Sequence, residues 1–600
     1  MSTLRKNCEK LQNVFQSHTM TSIIDSKRFV FVISGLLGAV FFMIFFGIRV
    51  LDVTYTDWLV IPSIQDRYAN YIGWEAYRNS DWFFPPGLHD GLTYPFPLSV
   101  AYSDALPIFA LFFKTISFIL PADFQYFGWV CLIWYILQGG FGGLIVKRIS
   151  GYTWFSIICS LFFTLSVFMA YRMLNHSGLA AHFLLLATMY MCITKDDNRR
   201  SVLKNCIIWS ILMVVSIGAS IYMSIMIFGM MCFYFLDDVF EHKKIVRVLI
   251  ELCVPMVFMV IAMFLFGFFS SNADNSTFLG VFNANLNQPF NPNAVYAEIG
   301  SPYADFSRII PPLPLIPAEV GFVTESRQSE GNSYPGLGML IFFLLAIIIF
   351  IYDFKNYKSK LSDKKILRRT IFVIIVFFAY YFYALGPTFT FGDKYLISYY
   401  RLLPGFYIDL MSMFRSTGRF LWVPVYMLMI LAIWVAAKKF KKPILLIMAV
   451  LLVCVQFYDQ SGYLFAKGKI FREEQVFKTS LQSEFWDVIA KDYDHMIHMN
   501  HFDFLDQKHL TVFAVRNRLT LNNAYVARQD VTAIEDHQRH QWELLAEGLP
   551  DENTVYIFYI TPEYLIQEDL LVVYHVDGRI VGVANEIENA INMTGVDRIT

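Results

Sequence analysis

Apolar runs of roughly span length recur along this chain, divided by polar stretches, and they set its organisation. Taken at ~17 to 25 residues each, they predict helices at about 29–48, 126–146, 152–170, 178–194, 202–218, 219–236, 248–269, 335–352, 370–386, 419–437 and 443–458. The segment Leu106 to Leu120 is apolar but short, carries Lys114 and ends at Pro121. Lys and Arg cluster in alternate loops: the N-terminus, Lys147-Arg148, Lys195 to Lys204, Lys243 to Arg247, Lys355 to Arg369 and Lys438 to Lys442. All of these share one face only if Leu106 to Leu120 does not cross, so that segment is expected along the opposite interface. The same parity splits Val202 to Leu236 into two tight spans.

Beyond the last run the pattern changes. Residues 459–600 read as a soluble domain, helix-like over Ser480 to Met496 and strand-like over Leu510 to Val515, Val555 to Ile560 and Leu570 to Val576. Asp577-Gly578 signals a hairpin before Arg579 to Val583. The expected fold is therefore a polytopic α-helical membrane protein of about eleven transmembrane helices with a C-terminal soluble α/β domain. Its parts are a cytoplasmic segment 1–28, a transmembrane domain 29–458 with outer loops 49–125, 270–334 and 387–418, and an outer domain 459–600. The second outer loop, with Asn283 to Asn293 and Pro311 to Pro314, reads as irregular.

Composition agrees: 56% hydrophobic and 16% charged residues is not a soluble composition, and the mean hydropathy is +0.47. The polar start, with no small-residue cleavage site after the first run, predicts a retained span rather than a signal peptide. Eight cysteines show no metal-ligand spacing and no disulfide pattern, and the tail has none. No Walker-type loop occurs, so ATP-driven transport has no support, and nothing suggests nucleic acid.

Candidate chemistry lies in the outer loops. Asp66 and Asp104 bracket a polar, aromatic stretch after the first span and could hold a general base at the lipid boundary; the alternative for each, and more so for Asp104, is a solvated acid or helix cap. Asp52 and Asp57 could take the same role. Arg67, Tyr71, Trp74 and Tyr102 are expected to line the substrate site. Arg172 and His176, with His182 further on, place a cation and imidazoles at the mouth of the bundle, suited to phosphate or to headgroup anchoring. Arg401, Arg415 and Arg419 suggest an anion partner, with interfacial anchoring by Arg and Trp as the alternative. No H-E-x-x-H, Cys pair or close D-x-D occurs in these loops, so no metal site is assigned. A divalent cation enters only if the fold brings Asp66 and Asp104 together. His495, His498 and His501 read as a solvated face.

The runs Asp66 to Trp74, Tyr102 to Pro107, Phe124 to Gly128, Tyr171-Arg172 with His176 and His182, Tyr334 to Gly338, and Phe414 to Phe420 stand in an order that resembles the GT-C glycosyltransferases. More closely, they resemble an uncharacterised bacterial family of that superfamily, similar to O-antigen side-chain glucosyltransferases. The resemblance spans roughly residues 30 to 460. It implies a multi-pass protein of the bacterial inner membrane, N-terminus cytoplasmic and C-terminal domain periplasmic. Its reaction would move a hexose from a polyprenyl-phosphate donor to a cell-surface glycan or lipid-linked glycan acceptor. A donor synthase and a flippase would be companions, and membrane lipid its surroundings. By position Asp66 would be the loop-one acid. A lipid-linked sugar flippase is the alternative, but such carriers show intramembrane charges and repeats, and neither is evident. A glycan polymerase or ligase would leave the loop-one carboxylates unexplained.

Overall fold

A computed structural model describes residues 24–61, 66–196, 201–242, 245–269, 282–291, 328–392, 394–412, 414, 416–500 and 504–599. The apolar runs fold as expected into helices: α1 (Lys27–Phe46), then, after the loop-one helices α2 (Asp66–Asn79) and α3 (Pro107–Thr115), α4 (Phe127–Ser150), α5 (Thr153–Thr164), α6 (Phe183–Ile193), α7 (Val202–Ala219), α8 (Ile221–His242) and α9 (Ile245–Leu265). They continue with α10 (Leu337–Tyr352), α11 (Phe354–Lys360), α12 (Lys364–Leu385), α13 (Trp422–Lys439) and α14 (Lys442–Arg472). Among the described residues eight helices are long and apolar enough to cross a bilayer, and the pair α10 and α11, bent by 76°, makes a ninth. The apolar helices α5 and α6 sit where spans are expected but run only 12 and 11 residues, below the length of a full crossing. The coarse reading, a multi-pass helical membrane protein, holds; a count of eleven full spans does not follow.

Ion pairs mark one end of the bundle. Lys147 pairs with Asp25 and Lys195 with Asp237 at 3.0 Å, Lys439 with Asp353 at 2.7 Å, and Arg369 with both Asp196 and Asp237. The basic loops flanking α4, α6, α8, α12 and α13 thus gather together, as the alternation of charge along the sequence requires. The short α3, nine residues long, lies at the other end.

Two expectations change here, and one unassigned stretch gains structure. The stretch opening at Asp66 is helical, as α2, not a loop. The span expected at 443–458 is the 31-residue α14, about 46 Å at ~1.5 Å per residue. It runs through Asp459 because the polar side chains there have work inside the protein. The Asp459 carboxylate accepts from Leu337 N at 2.8 Å and Tyr334 Oη at 3.0 Å, and Gln456 Oε1 accepts from Met339 N at 3.1 Å. They satisfy the N-terminal amides of α10. Loop three, unassigned from sequence, forms a hairpin of β3 (Thr388–Phe391) and β4 (Lys394–Ser398); loop one holds the small pair β1 (Leu88–His89) and β2 (Leu98–Ser99).

The C-terminal domain is an α/β unit. Its elements are α15 (Phe485–Asp492), β5 (His495–His498), α16 (Phe504–Arg516), β6 (Thr520–Leu521), α17 (Val531–Ala546), β7 (Thr554–Phe558), β8 (Val572–Val576), β9 (Arg579–Val583) and β10 (Val596–Ile599), with the sheet ordered β10-β8-β9-β7-β5-β6. The β8/β9 hairpin turns at Asp577-Gly578, φ +48° and +76°, with Val576 opposite Arg579, the two-residue turn that Asp-Gly favours. The strand expected at Leu510 to Val515 is instead the second half of α16, and the helix expected over Ser480 to Met496 stops at Asp492. His495 and His498 lie on β5, not on a solvated face. His498 is fully buried and His495 stacks on Tyr94 at 4.0 Å. His501 and Pro311 to Pro314 lie outside the described residues.

Candidate active site

One face of α2 builds the first half of the site. Asp66, Asn70 and Gly73 follow one another at i, i+4 and i+7, so they share a face. Gly73 lets the next turn come close: a Cβ there would lie 2.2 Å from Ser103 Cβ. The chain beyond Ser103 then turns sharply, with Asp104 and Leu106 at φ +54° and +56°, a left-handed conformation uncommon for residues with a side chain. Asp104 ends beside Asp66.

The third partner comes from the turn before α6. His176 N bonds to Arg172 O at 2.9 Å, and the His176 ring places Nε2 2.8 Å from Asp66 Oδ2. Asn70 Nδ2 ties the same turn to α2 by donating to Asn175 O at 3.2 Å. One side-chain ligand atom each from Asp66, Asp104 and His176 lie within 4.8 Å of one another. Residues 66, 104 and 176, far apart in sequence, thus form one cluster at the mouth of the bundle.

Beside it sits a clamp that the sequence reading missed. Glu330, on the 3-10 turn Gln328–Gly331, takes hydrogen bonds from two arginines. Arg172 Nη1 reaches Oε1 at 3.1 Å, while Arg419 Nε and Nη2 reach Oε2 at 2.9 and 2.6 Å. Arg172 also donates to Glu330 O at 3.0 Å. Gly418 makes the approach possible: a Cβ there would be 2.8 Å from Gly331 Cα. The arginines are further held by rings, Arg172 over Tyr171 at 4.7 Å and Arg419 over Tyr222 at 4.5 Å.

These neighbours set the charges. Burial alone would raise the Asp66 carboxyl, but the His176 ring and Arg172 more than offset it, and it stays below the usual range. Burial acts the same way on Glu330, and the two guanidiniums overcome it, holding the carboxyl well below its ordinary value. Both are carboxylates at neutral pH.

The other expected site residues fall elsewhere. Tyr71 and Trp74 are fully buried: Tyr71 Oη accepts from Arg516 Nε at 2.8 Å and Trp74 Nε1 donates to Phe124 O at 2.8 Å. Arg67, also buried, bonds to Ile61 O at 2.7 Å and covers the Phe471 ring. Tyr102 Oη donates to Phe268 O at 3.2 Å. His182 lies deeper in the bundle, its Nδ1 3.1 Å from Tyr426 Oη and its ring 4.4 Å from Trp422. Of the other two acids weighed as bases, Asp52 accepts from Thr54 N at 2.9 Å and Asp57 from Phe477 N at 2.9 Å. Arg401 is exposed on the 3-10 turn after β4, and Arg415 lies outside the described residues.

No curated protein matches the chain significantly. Residues 35–461 match the family described as "Domain of unknown function (DUF6311)" and residues 485–584 match the DUF6311 C-terminal domain, so the bundle that carries this site and the domain packed on it make the chain a member of the DUF6311 family.

Proposed function

We propose that this protein is a membrane glycosyltransferase of GT-C type that moves a hexose from a polyprenyl-phosphate donor to a surface glycan on the periplasmic side, with inversion. The observation that carries the reading is the joining of an ionised, half-buried Asp66 to His176 within the same mouth as the Arg172 and Arg419 pair. In the reaction the acceptor hydroxyl attacks the anomeric carbon as the bond to the lipid phosphate breaks. Asp66 takes the hydroxyl proton through the oxygen that His176 does not hold. The growing charge on the leaving phosphate falls to Arg172 and Arg419, whose guanidiniums suit phosphate geometry. Glu330 holds the two guanidinium forks side by side. Lipid-linked donors reach such a mouth from the bilayer.

The test is transfer by purified protein from polyprenyl-phosphate hexoses to glycan acceptors. Asp66→Asn is expected to lower kcat by ~10² to 10⁴-fold, the usual worth of a general base, with insertion and folding retained. Full transfer by a folded Asp66→Asn protein would remove Asp66 from the role.

A further inference from the structure

We infer that Asp66, Asp104 and His176, with Asn70 beside them, form a site for one divalent cation of the Mn²⁺ class. The inference concerns ion binding and stands apart from the transferase reading. The spacing fits: atoms within 4.8 Å of one another match ligands around an ion with bonds of roughly 2.1 to 2.4 Å, cis pairs near ~3 Å and trans pairs below ~4.8 Å. Two carboxylates and an imidazole are a mixed hard and borderline set, which suits Mn²⁺ better than Ca²⁺. The ion would replace the proton shared by His176 Nε2 and Asp66 Oδ2, and that proton leaves to solvent.

A second, separate observation points into the same place. Asn70 is 1% exposed; its Nδ2 is used on Asn175 O, and its Oδ1 has no hydrogen-bond partner. A buried amide oxygen without a donor costs about 1 to 3 kcal/mol. This one lies on the Asp66 face of α2, against the turn that carries His176, where a cation would satisfy it.

The experiment is titration of chelator-stripped, full-length protein in detergent with Mn²⁺, following the free ion by electron paramagnetic resonance, with no sugar donor present. Expected is one Mn²⁺ per chain, weakened about tenfold or more by Asp104→Asn and by His176→Ala, and unchanged by Glu586→Gln on the C-terminal surface. Electron spin echo spectra of the bound ion in the wild type should show coupling to an imidazole nitrogen, a readout that needs no variant to fold. Failure of folded wild-type protein to bind, absence of the nitrogen coupling, or equal affinity in folded Asp104→Asn and His176→Ala overturns the site. Because no transfer is measured, that failure leaves the transferase reading standing, and an inactive protein that binds Mn²⁺ leaves this one.

Discussion

Glu330 is the residue on which the largest local electrostatic balance rests. The side chains of Arg172, Arg419 and Glu330 are 1%, 11% and 15% exposed, so removing the carboxylate strands two desolvated cations side by side. Glu330→Gln should cost about 3 kcal/mol or more, the scale for breaking a buried pair, and lower Tm accordingly. The contrast is Arg49 with Glu474, a 3.0 Å pair whose side chains are 45% and 64% exposed; Glu474→Gln should change stability by less than about 1 kcal/mol. Thermal unfolding of the two variants side by side decides it, and equal losses would deny the clamp its weight. Asp66, Asp104, Arg172, His176 and Arg419 were visible in the sequence as polar residues next to apolar runs. Glu330 was not: its meaning depends on arginines 158 and 89 residues away, and a lone acid in Ser-Glu-Gly-Asn carries no pattern.

At the scale of an element, α2 explains both what could be read and what could not. Every residue from Arg67 to Tyr77 is buried, so the polar positions of this helix do not mark a solvent face as they would on a surface helix; Asn70 and Trp74 instead reach Asn175 O and Phe124 O. Glu75 is buried with Oε1 unpaired, and burial pushes its carboxyl up to about 8 against the partial relief of Arg78. The folded protein therefore keeps this proton through a window, about pH 4.5 to 8, in which the unfolded chain has lost it. The neutral form's contribution is complete below that window and drains away as pH rises across it, by at most ~1.4 kcal/mol per unit. Glu75→Gln should match the wild type near pH 4 and be increasingly the more stable toward pH 8. Parallel melting curves that keep a constant gap across that range would contradict this. The same burial logic explains α16: Leu510 to Val515 reads as a strand by its β-branched and aromatic residues, but tertiary packing against α2 outweighs that preference.

For the molecule as a whole, the spans and their alternation were legible because a bilayer enforces length and charge rules on every crossing, whereas the docking of the C-terminal domain was not, since it is made by single contacts without periodicity. Arg516 Nε donates to Tyr71 Oη at 2.8 Å and Nη2 to Thr56 Oγ1 at 3.2 Å, and Asn79 Nδ2 to Val515 O at 2.9 Å. Backbone bonds join Tyr94 N to Leu521 O and Ala527 N to Tyr102 O, both at 2.7 Å. The last of these lies two residues from Asp104, so the domain braces both α2 and the turn that sets the second carboxylate. That makes it part of the site's support rather than an appendage. Arg516→Ala removes a charged donor from Tyr71 and Thr56, a loss of about 1.5 to 3 kcal/mol, and its effect should be local. Hydrogen exchange is expected to quicken in peptides covering residues 66–79 and 99–106 while those from α4 stay as protected as before. Unchanged exchange in 66–79 would mean that α2 is held by the bundle alone, and the bracing role of the domain would fall with it.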